Sequence, residues 1–183
     1  MGYVVKPSLT LFITAMITIA LLSVVHALTL EPIERQKQRT QEAAMREVLP
    51  QADTYTEIPA EIFGSITAVY EGVGGDGEKA GYVVALSPEG YSGKIDMMVG
   101  ISSAGETVTG MRVLRHTETP GLGAMAVRES FYGKFDGRSL TPLTVVKSAP
   151  GENEIDAITS ATITTRAITG AVNEAITWYG GAK

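Results

Sequence analysis

A chain of 183 residues with 15 basic and 20 acidic side chains, two histidines and no cysteine has room for one membrane helix and one compact domain. The missing cysteines exclude thiol catalysis, cysteine-ligated iron–sulfur clusters and cysteine-attached haem, so any redox chemistry must come from an organic cofactor. Lys6 is the only charge ahead of Glu31, so the rest carries 14 basic against 20 acidic side chains, a net of −6, which argues against nucleic acid as a partner.

From Pro7 to Leu30 there is no Asp, Glu, Lys or Arg, and Leu9 to Val25 is dominated by Leu, Ile, Val, Ala, Met and Phe. That is enough for roughly 30 Å of helix, the thickness of a bilayer core. Val25-His26-Ala27 also offers the small residues of a cleaved secretory signal, but the apolar run is long for one. Glu31 to Leu49 is rich in Glu, Arg, Lys, Gln and Ala and stops at Pro50, which predicts a solvated helical stalk.

Beyond it the pattern turns to β-branched and aromatic runs cut by glycine at 66–70, 81–86, 95–101 and 108–114, the signature of an antiparallel meander. A short helix is expected over 124–132, a strand over 144–147 and a last helix over 161–178. In that helix Ala167, Ile168, Ala171, Val172, Ala175, Ile176 and Tyr179 recur at helical spacing. The fold class is α+β. Gly72-Val-Gly-Gly-Asp-Gly77 has the spacing of a dinucleotide site, but another strand follows it where phosphate capture needs a helix, so it reads as a hairpin loop.

Asp156-Ala-Ile-Thr-Ser-Ala-Thr-Ile-Thr-Thr165 places five hydroxyls at the mouth of the last helix. Thr159 or Ser160 can cap it, and the next backbone N–H groups favour an anion without a cationic side chain. On spacing alone this reads as an ordinary hydroxyl-rich cap. The stretch resembles the flavinylation motif Asp-x-x-Ser/Thr-Gly-Ala-Thr of the FMN-binding subunits of Rnf and sodium-pumping NADH:quinone oxidoreductase complexes, with Asp156, Thr159, Ala161 and Thr162 in register and Ser160 in place of the usual glycine. His116-Thr-Glu-Thr-Pro-Gly-Leu-Gly123 resembles a second motif of the same families. Pro120-Gly121 suits the middle of a tight turn. Gly90-Tyr-Ser-Gly-Lys-Ile95 and Val99-Gly-Ile101 precede it in the order found in the Rnf G subunit.

The resemblance implies an FMN-binding domain with an antiparallel sheet and packed helices over 51–183, behind an anchor at 1–30 and a stalk at 31–50. It implies FMN joined through its phosphate to Thr162, with Asp156, Thr159, Ser160, Ala161, Ile163, Glu118, Thr119, Gly121 and Leu122 as further cofactor-binding residues. Thr164 and Thr165 are the alternative acceptors. A threonine hydroxyl is a weak nucleophile without an adjacent base, and in these families a magnesium-dependent flavin transferase performs the attachment. The implied role is an electron carrier, not catalytic alone, in a plasma (inner) membrane complex that couples ferredoxin:NAD electron transfer to sodium or proton translocation. The partners are the other subunits of that complex.

A stand-alone membrane-anchored flavoprotein or sensor is the alternative, and a non-redox tethered module a third. His116 has no metal-spaced partner and no metal is assigned. His26, near the end of the span, is read as non-functional. Lys6 before the span against Arg35, Lys37 and Arg39 after it weakly favours a cytoplasmic domain, whereas the resemblance implies the extracytoplasmic side.

Overall fold

The computed structural model describes residues 2–182. It divides into one unit ending at Thr40 and a second running from Gln41 onward. The first helix, α1, spans Gly2–Val48 and carries Pro7 and Pro32 in its interior. Its N-terminal part is long and apolar enough to cross a membrane, and the apolar side chains from Val5 to Ile33 are exposed. The uncharged run explains both: the hydroxyls of Thr10, Thr14, Thr18 and Thr29 donate to carbonyls of the same helix, and a bilayer core is the medium the run suits.

The stalk expectation is corrected at its end. Ala44, Met45, Val48 and Leu49 are buried and pack with Ala52, Val83 and Met98, so this part of the helix belongs to the folded unit. The apolar spacing i, i+1, i+4, i+5 gives it a covered stripe.

The second unit is built on a six-stranded sheet in the order β1 (Thr54–Ile58), β2 (Ile66–Val73), β3 (Lys79–Leu86), β4 (Asp96–Ser102), β5 (Thr107–Arg115) and β6 (Arg138–Ser139). Every neighbouring pair is antiparallel, so the four expected strands form the expected meander. The edge strands β1 and β6 are additions to it. The loop at 74–78 joins β2 to β3 as a hairpin, as the strand pattern after it predicts, with Gly77 at φ 82°.

The sheet is covered on both faces. Val84, Leu86, Met97, Val99 and Ile101 point into the main core, while Val83 and Met98, one position out of phase, meet the end of α1. Gly100 lets the helix approach: a Cβ there would collide with the Val48 carbonyl. That carbonyl accepts a hydrogen bond from the Thr109 hydroxyl, and the Tyr55 hydroxyl donates to the Leu49 carbonyl at 2.9 Å.

The short helix expected over 124–132 is broken into a 3-10 turn at Gly123–Val127, a single α turn, α2, at Glu129–Tyr132, and a second 3-10 turn at Gly133–Phe135. Arg128 is extended (φ −87°, ψ 144°) and interrupts the helical hydrogen bonding. Phe131 and Phe135 from this segment pack edge to face in the core at 5.6 Å.

The remaining strands, β7 (Thr144–Val146) and β8 (Glu154–Asp156), pair in parallel. The last helix, α3, spans Thr162–Ala182. It buries Ile168, Ala171, Val172, Ala175, Ile176 and Tyr179 against the sheet side of the core, the stripe its periodicity predicts. Asn173 clamps the residue ahead of β7 to it, accepting from the Leu143 N–H and donating to the Leu143 carbonyl, both at 2.8 Å.

Candidate functional site

Three segments distant in sequence converge at the mouth of α3. The first is the hairpin at 88–95, closed by the Gly90 N–H donating to the Gly93 carbonyl at 2.8 Å. The second is the 116–123 loop, where the Leu122 N–H donates to the Thr119 carbonyl at 3.1 Å. Pro120 and Gly121 (φ 79°) occupy the middle of that turn, a type II arrangement in which only glycine is at ease. The third is the 157–162 stretch, where Ser160 sits at φ 63°. This is left-handed backbone, which glycine adopts at lower cost than serine.

Neither Thr159 nor Ser160 caps α3; both are exposed, and among the described residues neither side chain makes a hydrogen bond. The loop is instead held from inside the helix. Thr165 accepts from the Ile158 N–H and donates to the Ala161 carbonyl, both at 3.0 Å, and the Ala161 N–H donates to the Ile158 carbonyl at 2.9 Å. The first intrahelical bond runs from Thr165 to Ala161. The amides of Thr162, Ile163 and Thr164 therefore precede the ladder and are the natural anion donors of a helix N-terminus.

These segments enclose a cavity of about 410 Å³ lined by Tyr91, Glu118, Thr119, Leu122, Gly123, Ser160, Ala161, Thr162, Ile163 and Thr164. Seven of the ten expected site residues meet there. Asp156, Thr159 and Gly121 do not; they line a neighbouring cavity of about 330 Å³ with Lys134.

Asp156 ends β8 and pairs with Lys134 at 2.8 Å. The hydrogen bond from Lys134 holds its carboxyl below the usual carboxylate range, against a smaller opposing effect of burial. Tyr91 and Gly123 were not among the expected site residues, and Thr164 was expected only as an alternative acceptor. Gly123 stood inside a quoted motif and Tyr91 in the segment before it, but only the folded hairpin shows that Tyr91, 71% exposed, reaches the cavity.

The one charged residue lining this cavity is Glu118, 6% exposed. Its carboxylate accepts the Thr164 hydroxyl at 2.6 Å and the Ser92 N–H at 2.9 Å, and its own N–H donates to His116 Nδ1 at 3.2 Å.

A family model of the FMN-binding domain matches residues 90–177, and one of the RnfG N-terminal region matches residues 4–48. The chain is 35% identical to the G subunit of the Na(+)-translocating ferredoxin:NAD(+) oxidoreductase complex of Acetobacterium woodii, over 96% of this chain and 91% of that one. It is 30% identical to the G subunit of the ion-translocating oxidoreductase complex of Methanosarcina acetivorans, over 98% and 96%. The chain belongs to the RnfG family.

The proton-translocating ferredoxin:NAD(+) oxidoreductase complex of Clostridium ljungdahlii has a similar G subunit, 34% identical over 94% of this chain and 91% of its own. The fold is that of the C subunit of the Na(+)-translocating NADH-quinone reductase of Parabacteroides distasonis, with a TM-score of 0.55 at 19% identity over 79% of this chain and 96% of the other. Every residue lining the 410 Å³ cavity of this RnfG protein falls within the matched FMN-binding domain. One helix among the described residues, at the N-terminal end, is long and apolar enough to cross a membrane, which fits a single-pass protein of a membrane complex.

Proposed function

We propose that the chain is an electron-relay protein carrying FMN joined through its phosphate to the Thr162 hydroxyl. A contrast within one helical turn carries this reading. Thr164 and Thr165 are buried and their hydroxyls are engaged, whereas Thr162 is half-buried, lines the cavity and has no hydrogen-bond partner among the described residues. Of the three threonines it is the one an incoming phosphoryl group can reach.

The donor set fits FMN. The amides of Thr162, Ile163 and Thr164 would hold the phosphate without a cation, and Tyr91, Leu122 and Ile163 offer apolar surface for the ring. When bound, FMN supplies reversible electron uptake that no side chain of this chain provides. The chain's own contribution is attachment, orientation and partial exclusion of water.

Glu118, already engaged by Thr164, leaves Thr162 without a dedicated base. Attachment therefore falls to an outside flavin transferase, which moves the FMN phosphoryl group of FAD onto the hydroxyl and releases AMP. Asp156 and Thr159, on the neighbouring cavity, are suited to recognition by that enzyme. The names of the relatives support a complex passing electrons between ferredoxin and NAD and moving sodium or protons. The anchor then covers 1–30, a connecting stretch 31–40, and the flavin domain begins at Gln41 on the extracytoplasmic side. Protease added to spheroplasts should remove that domain.

The deciding measurement is the intact mass of the protein coexpressed with a flavin transferase. The mass should exceed that of the sequence by FMN less one water, and Thr162→Ala should abolish the increment. The loss of one unpartnered hydroxyl costs the fold about 1 kcal/mol or less, so the complex should still assemble. Flavin found on another residue overturns the assignment.

A further inference from the structure

Glu118 is a buried carboxylate with no ion-pair partner among the described residues. Its carboxylate accepts from two neutral donors, the Thr164 hydroxyl and the Ser92 N–H. The fold makes room for it on two sides: a Cβ at Gly123 would collide with Oε2, and one at Gly90 would crowd Oε1. An uncompensated buried carboxylate is costly, and it is uncommon where it serves no purpose. This one lines the cavity to which the FMN-binding reading assigns a group that gains negative charge on reduction.

We propose that Glu118 takes up a proton when the flavin held in this cavity is reduced, so that electron arrival at this protein is tied to proton binding at one of its side chains. The inference rests on the proposed flavin function.

Two electrons from the reduced donor of the complex, together with one proton from water, convert the oxidised ring to its singly protonated reduced form, which bears a negative charge. A second proton from water adds to the Glu118 carboxylate and relieves the repulsion between the two. On reoxidation both protons return to water and both electrons pass to the acceptor.

Other titratable or charged groups on the enclosing segments are Glu89, Tyr91 and Lys94 on the hairpin, Arg115 and His116 on the strand end and loop, and Arg166 in the first two turns of α3, whose later turns carry Glu174 and Tyr179. The 3-10 turn at 123–127 carries none. Of these groups only Tyr91 lines the cavity. A phosphate esterified to Thr162 has lost its second ionisation and does not titrate near neutrality.

The test is a spectroscopic redox titration of the flavin-loaded full-length protein in detergent, repeated across neutral and alkaline pH, with free FMN as the reference for protons the ring takes by itself. Mass spectrometry first establishes that the wild type carries flavin; its absence there refutes the proposed function and this inference with it. With flavin present, the wild type should bind one proton more per two electrons than Glu118→Gln over part of that range, and the variant should match free FMN. Identical pH dependence in wild type and Glu118→Gln overturns the inference and leaves flavin carriage intact. If Glu118→Gln fails to load, Thr164→Val decides. Removing the donated O–H weakens the charged carboxylate, so the extra proton should persist to higher pH; an unmoved profile overturns the inference equally.

Discussion

Two helix ends meet the same domain in opposite ways. At the C-terminal end of α1 the chemistry is closed: the Val48 and Leu49 carbonyls accept side-chain hydroxyls, Gln41 donates to the Tyr70 hydroxyl at 2.8 Å, and the apolar stripe is buried on the sheet. At the N-terminal end of α3 three amides precede the first helical bond, and among the described residues the Thr162 hydroxyl lacks a partner and a buried carboxylate lacks an ion pair. Both ends are well-formed helix, so propensity does not distinguish them. The difference shows where the fold secures itself and where it keeps polar groups in reserve for a ligand.

The sharpest way to break the contrast is Gly100→Val. The added atoms would meet the Val48 backbone, which cannot yield as a flexible side chain can. The end of α1 would have to lift, exposing Met45, Val48 and Leu49. A loss of about 3 kcal/mol is expected, at the upper end of overpacking penalties. Denaturant unfolding of the full chain in detergent, with hydrogen exchange along 41–49, measures it, and flavin attachment at the distant mouth of α3 should survive in the fraction that folds. Equal protection of 41–49 in variant and wild type would show that the close approach is not what fastens the helix.

At the other helix end, Thr165→Val should cost about 1–2 kcal/mol, because the Ile158 N–H loses its acceptor while volume is kept. Its larger effect should be on attachment: the 158–161 loop that presents Thr162 loses its inner staple, so flavin incorporation at limiting transferase should slow. Unchanged incorporation would mean that the loop is ordered by something other than Thr165.

Ser160→Gly should act in the opposite sense. Relief of the left-handed backbone at φ 63° is partly offset by the greater freedom of glycine in the unfolded chain, for a net gain of about 0.5–1 kcal/mol. Incorporation should stay the same or improve. A thermal melt that falls instead would assign the serine a stabilising role that the geometry does not show.

How far the sequence revealed these features follows from how local each is. The meander and the stripe on α3 were legible because period-2 and period-3.6 patterns are written in consecutive residues. The turn at Pro120-Gly121 was legible because each residue type suits one backbone region. β1 escaped notice because Thr54–Ile58 is mostly exposed and polar, an edge strand defined by its pairing with β2. The buried end of α1 did carry a signal, Ala44, Met45, Val48 and Leu49, masked by the charges between them. The contact between Glu118 and Thr164 had no such trace. It joins residues 46 apart, and only the convergence of hairpin, loop and helix creates it.

The smallest expected effect separates Asp156 as a structural residue from Asp156 as a recognition residue. Its carboxyl is held below the ordinary range chiefly by the hydrogen bond from Lys134. A depressed folded value means that the ionised carboxylate stabilises the fold at every pH above its unfolded value, and that this contribution drains away as pH falls through the depressed one. The pair is about one-third exposed on both sides, so solvent screening limits its worth to less than about 1 kcal/mol. Asp156→Asn should therefore be slightly less stable than wild type at neutral pH. The gap should narrow on acidification into and below the carboxylate range, and added salt should shrink it as well. Against so small a structural cost, a marked slowing of flavin attachment at limiting transferase, in a variant whose melt is nearly unchanged, would place the residue in recognition by the enzyme. Lys134→Met provides the control, because it breaks the same ion pair and keeps the carboxylate. If Lys134→Met slows attachment as much as Asp156→Asn, the pair acts by fixing the backbone ahead of Thr162. If attachment proceeds normally in Lys134→Met and fails in Asp156→Asn, the negative charge itself is what the transferase reads.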